Sequence, residues 1–192
     1  MCMESLLVEQ GAPTLAGLKT ANLFVLKTGG EDITLQIREV NRALSAKGIR
    51  LIPVKKKDRS VLLYLFRPDR LRDDLTCPEA VCLLREKGYP CEDPVQCLTC
   101  LVRHFAEDDH FPHEVGLFLG YPPSDVRAFM EDPRNGYQCV GCWKAYSNAQ
   151  EAQKTFRRFR QCTRVYRKQL SEGRSLMSLA VDTGSRRPVK KT

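Results

Sequence analysis

The chain has 192 residues, of which 42% are hydrophobic and 28% are charged. These values are typical of a soluble globular protein that is long enough to form one well-buried domain. The longest apolar run covers only residues 61–66 and is far too short to span a membrane. The N-terminal residues lack the basic and apolar regions of a secretory signal, so we expect a cytoplasmic protein.

Nine cysteines and an uneven distribution of charge are the unusual features of the composition. The formal net charge is +8, but residues 1–143 carry 18 basic and 20 acidic side chains, whereas residues 144–192 carry 13 basic and 3 acidic ones. The basic character therefore belongs to the last quarter of the chain. Without a secretory signal, many cysteines favour reduced thiols, a metal site or redox chemistry over a disulfide framework.

Short helices and strands alternate in the predicted N-terminal half. Apolar residues at helical spacing predict a helix over residues 33–47 that ends at Gly48. Two β-rich runs, Ile49–Val54 and Ser60–Phe66, flank a basic loop and predict an antiparallel hairpin. The other predicted elements are a helix over residues 1–9 that is ended by residues 11–13, a strand over 23–26, and helices over 68–75 and 77–88.

Three further helices are predicted in the middle of the chain, over residues 94–107, 112–120 and 123–131. The last two are joined by a glycine-proline corner and raise the question of a helix-turn-helix reader of DNA. The outward residues of the second helix would include Asp125 and Glu131. Carboxylates repel a polyanion, so a plain helical hairpin is the favoured interpretation.

The C-terminal helix, predicted from Asn148 to Leu170, has one apolar and one basic face. Its basic face carries the candidate polyanion-binding residues Arg157, Arg158, Arg160, Arg164, Arg167 and Lys168. Taken together, the elements predict a mainly helical α+β fold. We expect a single domain over residues 1–172, with a small antiparallel sheet, followed by a basic, disordered tail over residues 173–192.

Three motifs resemble those of a known family: APTLAGLKTANL at residues 12–23, HEVGLFLGYP at 113–122 and CxGxWKxY at 139–146. With them, the chain is similar, over about Glu9 to Tyr166, to a bacterial family called domain of unknown function 3793, which is found largely in anaerobes. The resemblance implies no established activity. The residues that match the family pattern are Lys19, His113, Glu114, Tyr121, Cys139, Trp143, Lys144, Cys162 and Tyr166. Cys97, Cys100 and Cys142 lie outside that pattern, so a four-cysteine site is not expected as a general property of the family.

The leading hypothesis is a binding or accessory protein with a pocket for a metal ion or a small anion. The candidate pocket residues are Lys19, His113, Glu114, Tyr121, Cys139, Trp143 and Lys144. The hypothesis requires the Cys-Trp-Lys turn to fold back over the start of the histidine-glutamate helix. Another hypothesis, ranked third, is that the protein is a small cysteine-dependent enzyme whose active site contains some of these residues. In it, His113 would deprotonate the Cys139 thiol and Lys144 would lower the pKa of that thiol.

A metal site in this chain would use cysteine thiolates and histidine imidazoles as ligands. The candidate ligands are Cys97, Cys100, His104, His110, Cys139 and Cys142, a set that suits zinc or iron. Against this hypothesis, the two Cys-x-x-Cys pairs lie far apart in the sequence and the first falls within a predicted helix. The alternative is that these cysteines are small buried hydrophobic residues.

The second function that the sequence suggests is nonspecific binding of nucleic acid, or of an acidic protein, through the basic C-terminal helix. The aromatic residues of that helix lie on its apolar face and not among the arginines. Sequence-specific reading is therefore not expected, and the alternative is a solvated amphipathic helix that packs on the core.

Overall fold

The structure, a computed structural model, describes residues 3–107 and 110–183. The helices are α1 (Met3–Leu15), α2 (Thr34–Leu44), α3 (Pro68–Leu75), α4 (Pro78–Glu86), α5 (Pro94–Glu107), α6 (Val115–Phe118), α7 (Pro123–Glu131), α8 (Ala149–Ser171) and α9 (Leu176–Leu179), with a 3-10 turn at Ser45–Lys47. The strands are β1 (Ala21–Lys27), β2 (Arg50–Lys57), β3 (Ser60–Phe66), β4 (Cys139–Val140) and β5 (Lys144–Ala145). The predicted fold class is confirmed: this is a single, mainly helical α+β domain with a small antiparallel sheet.

The three-stranded sheet has the order β1-β3-β2, and both pairings are antiparallel. β3 lies in the centre, with Phe66 opposite Ala21 of β1 and Arg50 of β2. Its sequence is an almost unbroken apolar run because both of its faces are covered. The predicted hairpin is therefore confirmed, although β2 continues through the three lysines that were predicted as a loop.

Helices cover the two faces of the sheet and divide the core in two. Val61, Leu63 and Leu65 of β3 pack with residues of α1, α2 and α9. Tyr64 and Phe66 point to the other face and pack with residues of α3 to α7. The Tyr64 hydroxyl donates a hydrogen bond of 2.6 Å to the carbonyl of Phe118, and this bond ties β3 to the end of α6.

The helices that carry strong sequence signals have the predicted bounds. α5 and α7 agree with the prediction at both ends, and α8 differs from it by one residue at each end. The helix predicted over residues 112–120 is shorter than expected. Only Val115–Phe118 is α-helical, and the residues before it form tighter turns, such as the bond from the Val115 N–H to the Pro112 carbonyl.

The first helix is longer than predicted, and the turn that ends it places Lys19 in the interior. α1 continues through Gly11 and Pro13 to Leu15, because its buried side packs against α8 and β1. It ends in a Schellman motif, in which the Leu18 N–H bonds to the Pro13 carbonyl and Gly17 takes a positive φ of 70°. A side chain at this glycine would be strained. The chain then turns directly into Lys19 and β1.

The tail was predicted to start at residue 173, but residues 173–183 are folded onto the domain. α9 buries Leu176 and Leu179 in the core beside α1. Arg67, which is only 1% exposed, holds the end of this segment through the Val181 carbonyl and the Thr183 hydroxyl. The same guanidinium donates to the carbonyls of Thr14, Leu15 and Lys47. The rest of the predicted tail, residues 184–192, lies outside the described residues.

Replacing Arg67 with methionine should lower the free energy of unfolding by roughly 3–5 kcal/mol, because several buried carbonyls lose their donor. Urea denaturation followed by circular dichroism measures this change. The matched control is Arg72→Met, which removes an exposed guanidinium from α3 and should cost less than about 0.5 kcal/mol. Equal stability of the two variants would contradict the role of Arg67.

Candidate functional site

A buried carboxylate, Asp125 of α7, fixes the position of the short β4–β5 hairpin. Asp125 is 3% exposed and accepts a hydrogen bond of 2.8 Å from the indole Nε1 of Trp143. Its other oxygen accepts from the backbone N–H groups of Tyr146 and Ser147 and from the Ser147 hydroxyl, at 2.9–3.0 Å. These four bonds hold the hairpin against α7. Asp125 was predicted to face outwards, and this is wrong because the hairpin's donors need an acceptor in the interior.

Stacked rings join the hairpin to the glycine-proline corner. The rings of Tyr121 and Trp143 are stacked with centroids 5.0 Å apart, and the Tyr121 hydroxyl donates to the Cys142 carbonyl at 2.9 Å. Trp143 also meets the edge of Phe156 of α8 at 4.5 Å. Gly141 lies so close to α8 that a Cβ there would be 2.2 Å from the Phe156 ring. The hairpin therefore folds back over the corner.

This folding back creates a cavity of about 490 Å³ with mostly apolar walls, here called the aromatic cavity. His113, Tyr121, Phe129, Trp143 and Lys144 all line it. The Lys144 ammonium is already engaged, since it donates to the Pro133 carbonyl at 2.6 Å and lies 4.6 Å from the Tyr137 ring centroid. His113 meets Phe129 edge-on at 5.2 Å. Four of the seven predicted pocket residues thus surround one cavity.

Lys19 also contacts Tyr121 but, unlike Lys144, it has no hydrogen-bond partner for its ammonium in the described residues. Its Nζ lies 5.0 Å from the Tyr121 ring centroid, and the residue is only 6% exposed. Within the described part of the chain, no group forms a hydrogen bond or an ion pair with this ammonium. Burial lowers the pKa of Lys19 from 10.5 to about 8, because desolvation penalises the charged form more than the nearby Cys142 thiol favours it.

Lys19 lines a cavity of about 470 Å³ between α1, the turn at Cys142 and α8, here called the Lys19 cleft. Its polar and ionisable lining residues are Glu9, Gln10, Lys19, Asn22, Cys142, Arg160, Thr163, Arg164 and Arg167. Glu9 is the only acidic group among them, and both of its oxygens accept bonds from Arg167, at 2.6 and 2.9 Å. The charges of Lys19, Arg160 and Arg164 remain without a carboxylate partner within the cleft. The field inside it is therefore positive.

Lys19 also lines a smaller cavity of about 260 Å³, but the charges there are different. Asp74, Asp125 and Glu151 contribute to its walls, and the Thr20 hydroxyl is hydrogen-bonded to Asp74. Carboxylates on this side would repel an anion. Of the two spaces that Lys19 reaches, the Lys19 cleft is the one suited to negative charge.

Two of the predicted pocket residues line neither the aromatic cavity nor the Lys19 cleft. The carboxylate of Glu114 is buried and accepts a bond of 2.8 Å from the Tyr89 hydroxyl, which also lies 3.0 Å from His104 Nδ1. The Cys139 thiol faces the carbonyl of Ala149 at 3.8 Å. In the described residues, no contact joins Cys139 to His113 or Lys144.

The candidate metal ligands do not come together as one cluster. The Cys97 thiol is bonded to the Pro90 carbonyl at 3.0 Å, Cys100 lies 3.6 Å from His104 Nε2, and His110 and Cys142 are exposed elsewhere. Over residues 3–107 and 110–183, no group of three or more His, Cys, Asp or Glu side chains is arranged to hold a metal ion. The predicted zinc or iron site therefore has no counterpart in the described part of the chain.

All six candidate polyanion-binding residues of α8 are exposed, but they do not form one uniform surface. Arg160, Arg164 and Arg167 line the Lys19 cleft, whereas Arg157, Arg158 and Lys168 do not. Asn22 and Thr163 also line the cleft, and neither was among the predicted site residues. Asn22 directly precedes a predicted strand and Thr163 lies on the apolar side of a long helix, so neither stands out by spacing.

Comparison with known families gives one match, which covers residues 7–180 and has the description "Protein of unknown function (DUF3793)". The chain belongs to the DUF3793 family. Neither the curated proteins nor the solved structures include a match to it. The match confirms the resemblance seen in the sequence and extends across α9, so this family covers both cavities. Within the described residues, no helix has the length and apolar character that crossing a membrane requires.

Replacing Asp125 with alanine should lower the free energy of unfolding by roughly 3 kcal/mol and should release the hairpin, since four donors lose their acceptor. Trp143 is the only tryptophan, so its fluorescence should shift to longer wavelength as it becomes exposed. Glu131→Ala, which removes an exposed carboxylate from the same helix, is the control and should change neither quantity. An unshifted emission spectrum in Asp125→Ala would contradict the proposed anchoring.

Proposed function

We propose that this protein is a cytoplasmic binding protein that holds a small anion in the Lys19 cleft. The observation that carries the proposal is Lys19, a residue that is only 6% exposed, whose ammonium lies at the cleft without a hydrogen bond or an ion pair in the described residues. Because the described residues include no group of three or more His, Cys, Asp or Glu side chains that could hold a metal ion, the proposal concerns an anion and not a metal ion.

The energetics of burial support an anionic ligand. Removing an ammonium from water costs several kcal/mol unless a partner compensates for the loss, and buried charges in proteins are normally paired. The Tyr121 ring supplies only part of that compensation, on the order of 1–2 kcal/mol. An anion in the cleft would provide the missing partner, and in return it would gain a charge-assisted hydrogen bond of the strong kind.

Other groups at the cleft could hold the remaining oxygens of such an anion. The Asn22 side chain already accepts a bond of 2.7 Å from the Thr14 hydroxyl, so its amide N–H groups are the part that can donate to a ligand. The Thr163 hydroxyl and the Arg160 guanidinium line the same space. A volume of about 470 Å³ suits a small carboxylate or phosphate compound.

Nucleic-acid binding is the second candidate, and it would use a different part of the same helix. Arg157 and Arg158 are exposed on α8 and lie outside the cleft. A polyanion on that surface would be held by many weak, salt-sensitive contacts. Anion binding and nucleic-acid binding would therefore depend on different residues of α8. The third reading, a cysteine-dependent enzyme, lacks a described contact between Cys139 and its predicted base.

Isothermal titration with inorganic phosphate and with small carboxylates tests the proposal. Lys19→Met should weaken binding by at least about tenfold, because one charge-assisted hydrogen bond is lost. The variant is expected to fold, since it removes a buried charge and keeps the aliphatic stem. Affinity in the wild type should fall as the pH rises through about 8, because the binding form of Lys19 is the protonated one.

The matched control is Lys144→Met, which removes a lysine whose ammonium is already bonded to the Pro133 carbonyl. It should leave anion affinity unchanged. Unaltered affinity in Lys19→Met would contradict the anion site. If instead the protein binds an RNA oligonucleotide, and Arg157→Ala with Arg158→Ala abolishes that binding while small anions do not compete, the second candidate is favoured.

A further inference from the structure

The Lys19 nitrogen has a second chemical capacity that anion binding alone does not use. A lysine amine is a nucleophile when it is neutral and faces a space that a substrate can enter. We propose that the ligand of the Lys19 cleft is a small anionic aldehyde or ketone, such as a 2-oxo acid, and that Lys19 captures its carbonyl carbon as an imine. This inference rests on the proposed anion site and specifies the class of its ligand.

The position of Lys19 supplies what this reaction needs. The residue is only 6% exposed and lines a cleft, and in the described residues neither a hydrogen-bond donor nor an acceptor engages its Nζ. The lowered pKa, about 8, leaves roughly a tenth of the amine neutral at pH 7, whereas an ordinary lysine with a pKa of 10.5 is less than about 0.1% neutral. Burial therefore increases the nucleophilic fraction by on the order of a hundredfold.

The arrangement of charge around the cleft favours carbonyl compounds that also carry a negative group. Arg160 and Arg164 are exposed on α8, so they can attract a carboxylate at the cleft entrance while the carbonyl group enters towards the buried amine. The protonated imine would retain a positive charge at the position of the ammonium, over the Tyr121 ring. The same cation–π contact would thus stabilise both the free and the captured form.

The capture step needs no further reagent. The Lys19 nitrogen attacks the carbonyl carbon and a C–N bond forms. The carbonyl oxygen then leaves as water, taking the two protons of the neutral amine, so that a C=N bond replaces the C=O bond. The imine nitrogen then takes one proton from solvent, which gives the protonated imine. Hydrolysis reverses the step and releases the ligand unchanged. Neither oxidation nor reduction takes place.

Reductive trapping tests the inference. The full chain is incubated with glyoxylate and sodium cyanoborohydride at pH 7–8, and the adduct is located by intact mass and peptide mapping. Among the lysines, we expect the Lys19 adduct to form at least about tenfold faster than any other, in line with the larger neutral fraction. Inorganic phosphate should slow its formation by competing for the cleft.

Two variants separate the possible chemistries. Lys19→Arg keeps the positive charge but cannot form an imine, so it should lose the adduct while still binding phosphate. Cys142→Ser removes the exposed thiol of the cleft and should leave the adduct in place, because the reducing agent fixes an imine and not a thiol adduct. Circular dichroism and thermal unfolding confirm that both variants are folded.

The outcomes distinguish this inference from the function on which it rests. Adducts spread over the exposed lysines at similar rates, together with phosphate binding that depends on Lys19, would overturn the carbonyl chemistry and leave the anion site in place. The absence of both the Lys19 adduct and phosphate binding would overturn both proposals. A Lys19 adduct that phosphate cannot slow would support the amine chemistry but contradict the anion site.

Discussion

The Lys19 ammonium lies inside the protein because three separate features of the chain hold it there. The Schellman turn at Gly17 directs residue 19 inwards from the end of α1. The Tyr121 ring covers the ammonium, and Trp143 stacks on that ring. Asp125 in turn fixes Trp143 through the indole N–H. The buried charge therefore depends on contacts from the helical layer, from the hairpin and from the first helix at once.

This burial has a cost that depends on pH in a defined direction. The pKa of Lys19 is near 8 in the folded protein and 10.5 in its ordinary state, so the unfolded chain binds more protons between these values. Stability thus rises with pH across that window. Below pH 8 the folded protein carries the full penalty of a desolvated ammonium. A bound anion would offset that penalty, and such trade-offs between stability and function are common at binding sites.

The parts of the fold that the sequence predicts well depend on local patterns. α5 and α7 have proline at the start and apolar residues at helical spacing, and their bounds agree with prediction. α1 passes through Pro13 because its packing against α8 overrides local propensity. Residues 173–183 were predicted as part of a tail, but Arg67 binds the Val181 carbonyl and the Thr183 hydroxyl from more than 100 positions away. Contacts of this kind leave no local signal.

In the candidate site, too, some features could be predicted from local sequence patterns and others depend on distant contacts. The Cys-Trp-Lys turn was expected to fold back over the start of the histidine-glutamate helix. It folds over the glycine-proline corner, and His113, Tyr121, Trp143 and Lys144 line one cavity. Asp125 was predicted on the outer face of its helix, because the donors that draw it inwards lie about 20 positions later. The meeting of Lys19 with the arginines of α8 likewise requires α1 to pack on α8, which composition and spacing cannot reveal.

The pKa of Lys19 is the quantity on which the anion site and the carbonyl chemistry both depend. It can be measured by NMR in protein with ¹³C-labelled lysine, by following the Cε resonances from pH 6 to 11 and assigning that of Lys19 through its absence in Lys19→Met. The burial described above predicts one lysine that titrates near pH 8. A Lys19 resonance that titrates near 10.5, as a solvated lysine does, would contradict it.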